Sequence, residues 1–348
     1  MPAMQTHRID AFDYAKGIGI ILVVYGHVAR GVYNAGLPID QGFYILLDSI
    51  LYSFHMPLFF FVSGYFFPRS QEKRGAVELV RSKANTILYA YVVWSLIQGL
   101  IEFVLAPYTN GDVTLGQVFS LLWQPRAHFW FLYALFGIFL FSAVLYRKFT
   151  PAWTSLVLGL AVMLYLTGYS FVDVYLFKAF SQWFVYFALG ASAACMLPRI
   201  DLRHPGWLAL ITTLFLIAQW GVNATPGLII LGHAPVVKLA LAIIGIGFVL
   251  LWGRQLAIWG WSWLAYLGRH SLEIYLIHIL AGSGARIVLQ KVFGITDPVV
   301  HLTLGTLAGI VVPLLVAVGC PELANELAVL VPAAVALRLT AAQPSPSA

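Results

Sequence analysis

Charge is what this sequence has least of. Asp, Glu, Lys and Arg together make up 10% of its 348 residues, against about 25% in an ordinary soluble domain, and that excludes a soluble enzyme with a solvated surface. Cysteine is nearly absent. Cys195 and Cys320 are too few for a disulfide framework and form no C-x-x-C metal spacing. No internal repeat and no two-half symmetry is visible, which disfavours the common transporter designs. Nor does the N-terminus follow a signal-peptide pattern. Its first apolar run carries Lys16 with no small-residue cleavage site after it, so that run is expected to remain as the first span.

What is present is apolar. Hydrophobic residues reach 61% and the mean hydropathy is +0.86. At about 20 residues per span there is room for roughly ten helices and none for a soluble catalytic domain. The expected fold is all-α, a polytopic membrane bundle with spans near 12–32, 42–66, 84–105, 128–146, 152–170, 179–198, 206–222, 235–252, 259–282 and 299–319. A cytoplasmic N-terminus puts Arg8, Arg69, Lys73, Arg74, Arg81, Lys83, Arg147, Lys148, Arg199, Arg203 and Arg254 inside. Arg30, Arg126, Lys178, Arg286 and Lys291 then lie outside, and this bias favours that orientation. Residues 1–320 read as one transmembrane domain. Residues 321–348 hold an apolar segment, interfacial or an eleventh span, and a tail of disordered composition.

Four constellations stand out. In the first span, His27 lies eleven residues after Lys16 and fourteen after Asp13. Eleven residues at 100° each return to within about 20°, so Lys16 and His27 share one helix face about 16 Å apart. Asp13 and Lys16 alone also fit an interfacial ion pair. His27 lies too deep for that, and an intramembrane imidazole suits proton transfer near neutral pH. In the second span, Pro57 removes a backbone donor near His55, which marks either a ligand-holding kink or a packing feature. Ser271, Tyr275 and His278 fall on one face of a later helix, with Arg269 and Glu273 spaced to pair; His278 has a helix-to-helix hydrogen bond as its alternative role. Last, Arg126 and His128 beside Trp130 either line an acceptor site or belong to an aromatic belt.

Four stretches in order carry a resemblance. They are Asp10-Ala-Phe-Asp13-Tyr-Ala-Lys16 through Gly26-His27; Phe54-His55-Met-Pro57 through Ser63-Gly64-Tyr65; Phe129-Trp130-Phe131-Leu132; and Gly268-Arg269-His270-Ser271 through His278. Together, over residues 10–282, they resemble the acyltransferase 3 family of integral-membrane O-acyltransferases, nearest its fucose 4-O-acetylase-like branch. The family's hallmark is a basic residue, ten intervening positions and a His, met here by Lys16 and His27. Its Arg-x-x-Arg and Pro-Tyr at the third helix are only partly met. Lys83 stands for the first Arg, Thr86 replaces the second and Ala90 replaces the Pro.

The resemblance implies a ten-helix bundle in a bacterial inner membrane that moves an acetyl group from cytoplasmic acetyl-CoA to a hydroxyl of an envelope polysaccharide or other exported carbohydrate. No metal is expected. Lys83 and Arg81 are the expected contacts for the CoA phosphates, although the 69–83 basic cluster also reads as a topology signal. His27 is the expected general base or acyl carrier, with Lys16 and Asp13 supporting it, and His55, Trp130, Glu273 and His278 lining the substrate cavity. The other reading is a proton-coupled transporter or flippase with Asp13, Lys16, His27 and Glu273 as a relay.

Overall fold

A computed structural model describes residues 2–106, 113–168, 173–196, 204–224 and 234–319. The apolar segment after Glu322, the tail, Cys320, Arg199 and Arg203 lie outside them. Every regular element among the described residues is helical. Nine helical stretches there are long and apolar enough to cross a membrane, and Pro151–Thr167 adds a shorter apolar helix. The chain is a polytopic helical membrane bundle, as a bilayer requires of a backbone that must satisfy its own hydrogen bonds.

In chain order the helices are α1 (Pro2–Asn34), α2 (Gln41–Arg74), α3 (Ala76–Lys83), α4 (Tyr89–Val104), α5 (Leu115–Phe119), α6 (Trp130–Leu145), α7 (Pro151–Thr167), α8 (Tyr175–Met196), α9 (Pro205–Ala224), α10 (Pro235–Ile258), α11 (Ser262–Arg269), α12 (Ser271–Ile287) and α13 (Pro298–Gly319). Their ends follow local chemistry. The Asp40 side chain accepts from the Phe43 amide at 2.7 Å to start α2, which stops at Gly75 with φ 78°. Thr150 caps α7 with Pro151 in the first turn, and Gly168 closes it in the left-handed region. A π-helical turn at Ala84–Leu88 joins α3 to α4, so the third span begins earlier than hydropathy alone indicates.

The expected single span over 259–282 is two helices. The chain breaks at His270, and α11 ends there while α12 begins at Ser271. The break removes the expected Arg269–Glu273 pair: Arg269 is exposed, and Glu273 instead lies 4.0 Å from His270.

Two close approaches fix the bundle. At Gly64 a Cβ would overlap the Phe187 carbonyl, and at Gly190 one would overlap the Phe61 carbonyl. The backbones of α2 and α8 therefore meet over small residues, as membrane helices do when dispersion and not water drives packing. Gly17 against Leu264 and Gly268 against Asp13 seat α11 on α1 in the same way. The core runs from Ile20, Val23 and Val24 of α1 through Phe60 and Phe67 of α2 to Phe187 of α8. Helix α1 is central, packed by α2, α10, α11, α12 and α13.

Candidate active site

Three histidines from distant parts of the chain converge. The ring of His27 on α1 lies 5.1 Å from that of His278 on α12 and 5.9 Å from that of His128, just before α6; the last two are 4.9 Å apart. Backbone carbonyls hold two of them. His278 Nδ1 pairs with the Tyr275 carbonyl at 2.7 Å, and His128 Nε2 pairs with the same carbonyl at 3.1 Å. A carbonyl only accepts, so those nitrogens carry the hydrogens in the neutral rings. The other nitrogens, His278 Nε2 and His128 Nδ1, are bare lone pairs, buried and without a partner among the described residues. Tyr275 also donates its hydroxyl to the His128 carbonyl, which ties α12 to the entry of α6.

His55 shares this logic one layer away. Its Nδ1 donates to the Leu51 carbonyl at 2.5 Å, and its Nε2 is buried without a partner. The Tyr52 ring is 4.4 Å from His55 and 6.3 Å from His27. Arg30, one turn beyond His27, grips Asp48 through two hydrogen bonds of 2.6 and 2.9 Å and lies 3.3 Å over the Tyr52 ring. Such a fork fixes geometry as well as charge.

A cleft opens beside His27. His27, Gly31, His278, Gly282, Ser283 and Arg286 line it, and its free volume is about 30 Å³, room for roughly two waters. The small residues leave that room. Among the described residues, no group of three His, Cys, Asp or Glu side chains is arranged to hold a metal ion.

The other expected site residues lie elsewhere. Asp13 and Lys16 pair with each other at 2.7 Å, about 21 and 16 Å down α1 from His27 at 1.5 Å per residue. Lys83 ends α3 with its Nζ 4.7 Å over the Phe139 ring, while Arg81 is exposed. Trp130 packs on Trp183 at 4.8 Å and on Phe60 at 6.4 Å, inside an aromatic stack and not on the cleft. Glu273 sits in the first turn of α12, five residues before His278 and so about 140° around the helix; it does not reach the histidines. Arg126 pairs with Glu102 at 2.9 Å. Arg30 and Arg286 are additions: sequence reasoning counted them only as outward charges, although Arg30 follows His27 by three residues.

Similarity to known proteins agrees with a membrane bundle of this kind. The family pattern described as an acyltransferase domain matches residues 9–318. The nodulation protein NolL of Mesorhizobium japonicum is 31% identical over 145 residues, covering 41% of this chain and 38% of that protein. NolL of Sinorhizobium fredii is 29% identical over 141 residues, covering 40% and 37%. The match thus spans well under half the length of these curated relatives. No solved structure matches.

Proposed function

As the chain belongs to the acyltransferase domain family, we propose that it moves an acetyl group from cytoplasmic acetyl-CoA to a hydroxyl of an exported carbohydrate, in the manner the fucose 4-O-acetylase-like resemblance implies. The observation that carries this reading is the convergence of His27, His128 and His278 beside a cleft. With its neighbours' N–H groups held by the Tyr275 carbonyl, His27 stands among unprotonated nitrogens at the edge of a narrow cleft. Such surroundings suit a base that takes a proton and gives it back.

In the proposed reaction His27 removes the proton of the acceptor hydroxyl. The hydroxyl oxygen attacks the thioester carbon, a C–O bond forms, and the C–S bond breaks. The imidazolium returns its proton to the departing CoA sulfur. His278 Nε2 and His128 Nδ1 stabilise the transient charge on His27. A transient acetyl on His27 is the other form of the same proposal, since imidazole is also a nucleophile. Lys83, with Arg81 near it, takes the CoA phosphates at the end of α3, and Asp13 and Lys16 steady the donor between there and His27. His55 and the Tyr52 ring border the acceptor. The setting is a bacterial inner membrane, and the acceptor an envelope polysaccharide or its precursor.

The test is transfer of labelled acetyl from acetyl-CoA in membranes holding wild type or His27→Ala at matched expression. Label in a glycan or lipid-linked fraction that disappears with His27→Ala is the expected result. Absence of acetyl-CoA-dependent label from every fraction would overturn the reading and favour transport.

A further inference from the structure

Among the described residues, the cleft beside His27 holds a cation with no counter-charge. Arg286 is 8% exposed, and its Nε has no hydrogen-bond partner. No ion pair joins it to a carboxylate among the described residues. The contrast is Arg30 at the same end of the bundle, which Asp48 neutralises through a two-pronged bond. A guanidinium keeps its charge in a protein, and a buried charge without a partner is costly enough to imply a role or a ligand. Its position is defined as well. A Cβ on Gly31 would come within 4.0 Å of Arg286 Nε, and Gly31 is one turn past His27, about 6 Å along α1. Ser283 and Gly282 line the same cleft with His278.

From this arrangement we infer that Arg286 anchors an oxyanion, a phosphate or a carboxylate, carried by the acceptor. The inference rests on the acyl-transfer reading only in naming that ligand the acceptor. The donor is a poor fit. Its phosphates are separated from the reacting thioester by the whole pantetheine arm, whereas Arg286 lies one helical turn from His27. It also lies at the end of α1 away from Asp13, Lys16 and α11, while Lys83 and Arg81 mark the donor's end. Two oxygens of a phosphate or carboxylate match the guanidinium fork and would replace the roughly two waters that fit the cleft's about 30 Å³. The acceptor is accordingly a sugar phosphate, a lipid-linked sugar phosphate or a uronic acid, and not a neutral glycan.

The test uses the full chain in phosphatidylcholine nanodiscs and reads Tm while glucose 1-phosphate, glucuronate or glucose is titrated without acetyl-CoA; a ligand that binds the folded state raises Tm with its concentration. One or both anionic sugars are expected to raise Tm and glucose to leave it unchanged, and whichever anion acts names the phosphate or the carboxylate. Arg286→Gln should lose the shift, by a roughly tenfold to hundredfold weaker affinity on the scale of a charged hydrogen bond, and Arg286→Lys should keep part of it. If Arg286→Gln does not fold, the charged-versus-neutral contrast in wild type and its suppression by inorganic phosphate decide the matter. Anionic sugars that protect no better than glucose would overturn the inference, as would an Arg286→Gln protein that responds like wild type. Because this test contains no acetyl donor, anion binding here together with no label in the acetyl-transfer test above would sink the proposed function and leave this site standing.

Discussion

The imidazole rings of His27 and His278 lie 5.1 Å apart across the seam between α1 and α12. His278 Nδ1 is held by the Tyr275 carbonyl at 2.7 Å while its Nε2 has no partner. One ring is thus fixed by the backbone and presents a bare nitrogen in the layer where, in the proposed reaction, the other gains and loses a proton. In the proposed reaction that bare nitrogen has a use, which would offset the cost of burying it without a partner.

The first prediction follows from that asymmetry. His27→Ala should lower acetyl transfer at least about a hundredfold, the low end of what a positioned base contributes. His278→Asn, which lacks the ring nitrogen that stabilises charged His27, should reduce kcat more than acceptor KM. Matched kcat and KM values for both variants check this. A His278→Asn protein with wild-type kcat would remove His278 from the chemistry.

In the proposed reaction Tyr275 is a positioning residue for His128. Its carbonyl accepts from His128 at 3.1 Å and from His278, and its hydroxyl donates to the His128 carbonyl. Tyr275→Phe keeps the ring and the backbone acceptor and leaves the His128 carbonyl its Trp130 amide, but removes one hydrogen bond, at about 0.5–1.5 kcal/mol. We expect a lower Tm together with a several-fold drop in kcat and little change in acetyl-CoA KM. Unchanged kcat at lowered Tm would make Tyr275 a structural tie alone.

Donor binding predicts a different signature. Lys83 turns its Nζ over the Phe139 ring at 4.7 Å, at the junction of α3 and the π-helical turn, whereas Arg81 is exposed. Exposed cations contribute little to binding in high dielectric. Lys83→Ala should raise acetyl-CoA KM roughly tenfold, the scale of one charge-assisted hydrogen bond, and Arg81→Ala by less than about twofold. Equal effects from the two would show that the basic cluster acts only through its summed field.

The parts of the site that lie along one helix were legible in the sequence. The Lys16–His27 stripe follows from a period of 3.6 residues, and the bundle follows from apolar runs of span length, because both are set by the local chain and the bilayer. Convergence between helices was not legible from local spacing; the resemblance alone put His278 in one cavity with His27, and His128 stood beside Trp130 only as an acceptor-site candidate. Whether His128, His278 and His27 meet depends on how α1, α6 and α12 pack, and nothing local to Trp130 distinguishes His128 from its neighbours. Glu273 shows the opposite error. Its spacing from Arg269 predicts a pair on a continuous helix, and the break at His270 dissolves it. Arg286 was visible only as an outward charge, since the lack of a counter-charge is a property of the packed bundle.

The last prediction separates charge from packing at the N-terminal end of α1. Asp13 and Lys16 pair at 2.7 Å but keep 17% and 26% of their side-chain surface exposed. A partly hydrated i,i+3 pair contributes about 0–1 kcal/mol, so Asp13→Asn and Lys16→Met should leave Tm nearly unchanged. The backbone beside them is another matter. At Gly268 a Cβ would overlap the Asp13 carbonyl, and at Gly17 one would overlap the Leu264 carbonyl. Gly268→Ala must therefore push α11 off α1, at about 1–3 kcal/mol or more for overpacking. If Lys16 steadies the donor, Lys16→Met will lose transfer activity at wild-type Tm, while Gly268→Ala will lose activity and Tm together. A Lys16→Met protein as active as wild type would reduce the Asp13–Lys16 pair to an interfacial ion pair, and the stripe it forms with His27 would carry no chemistry below the histidines.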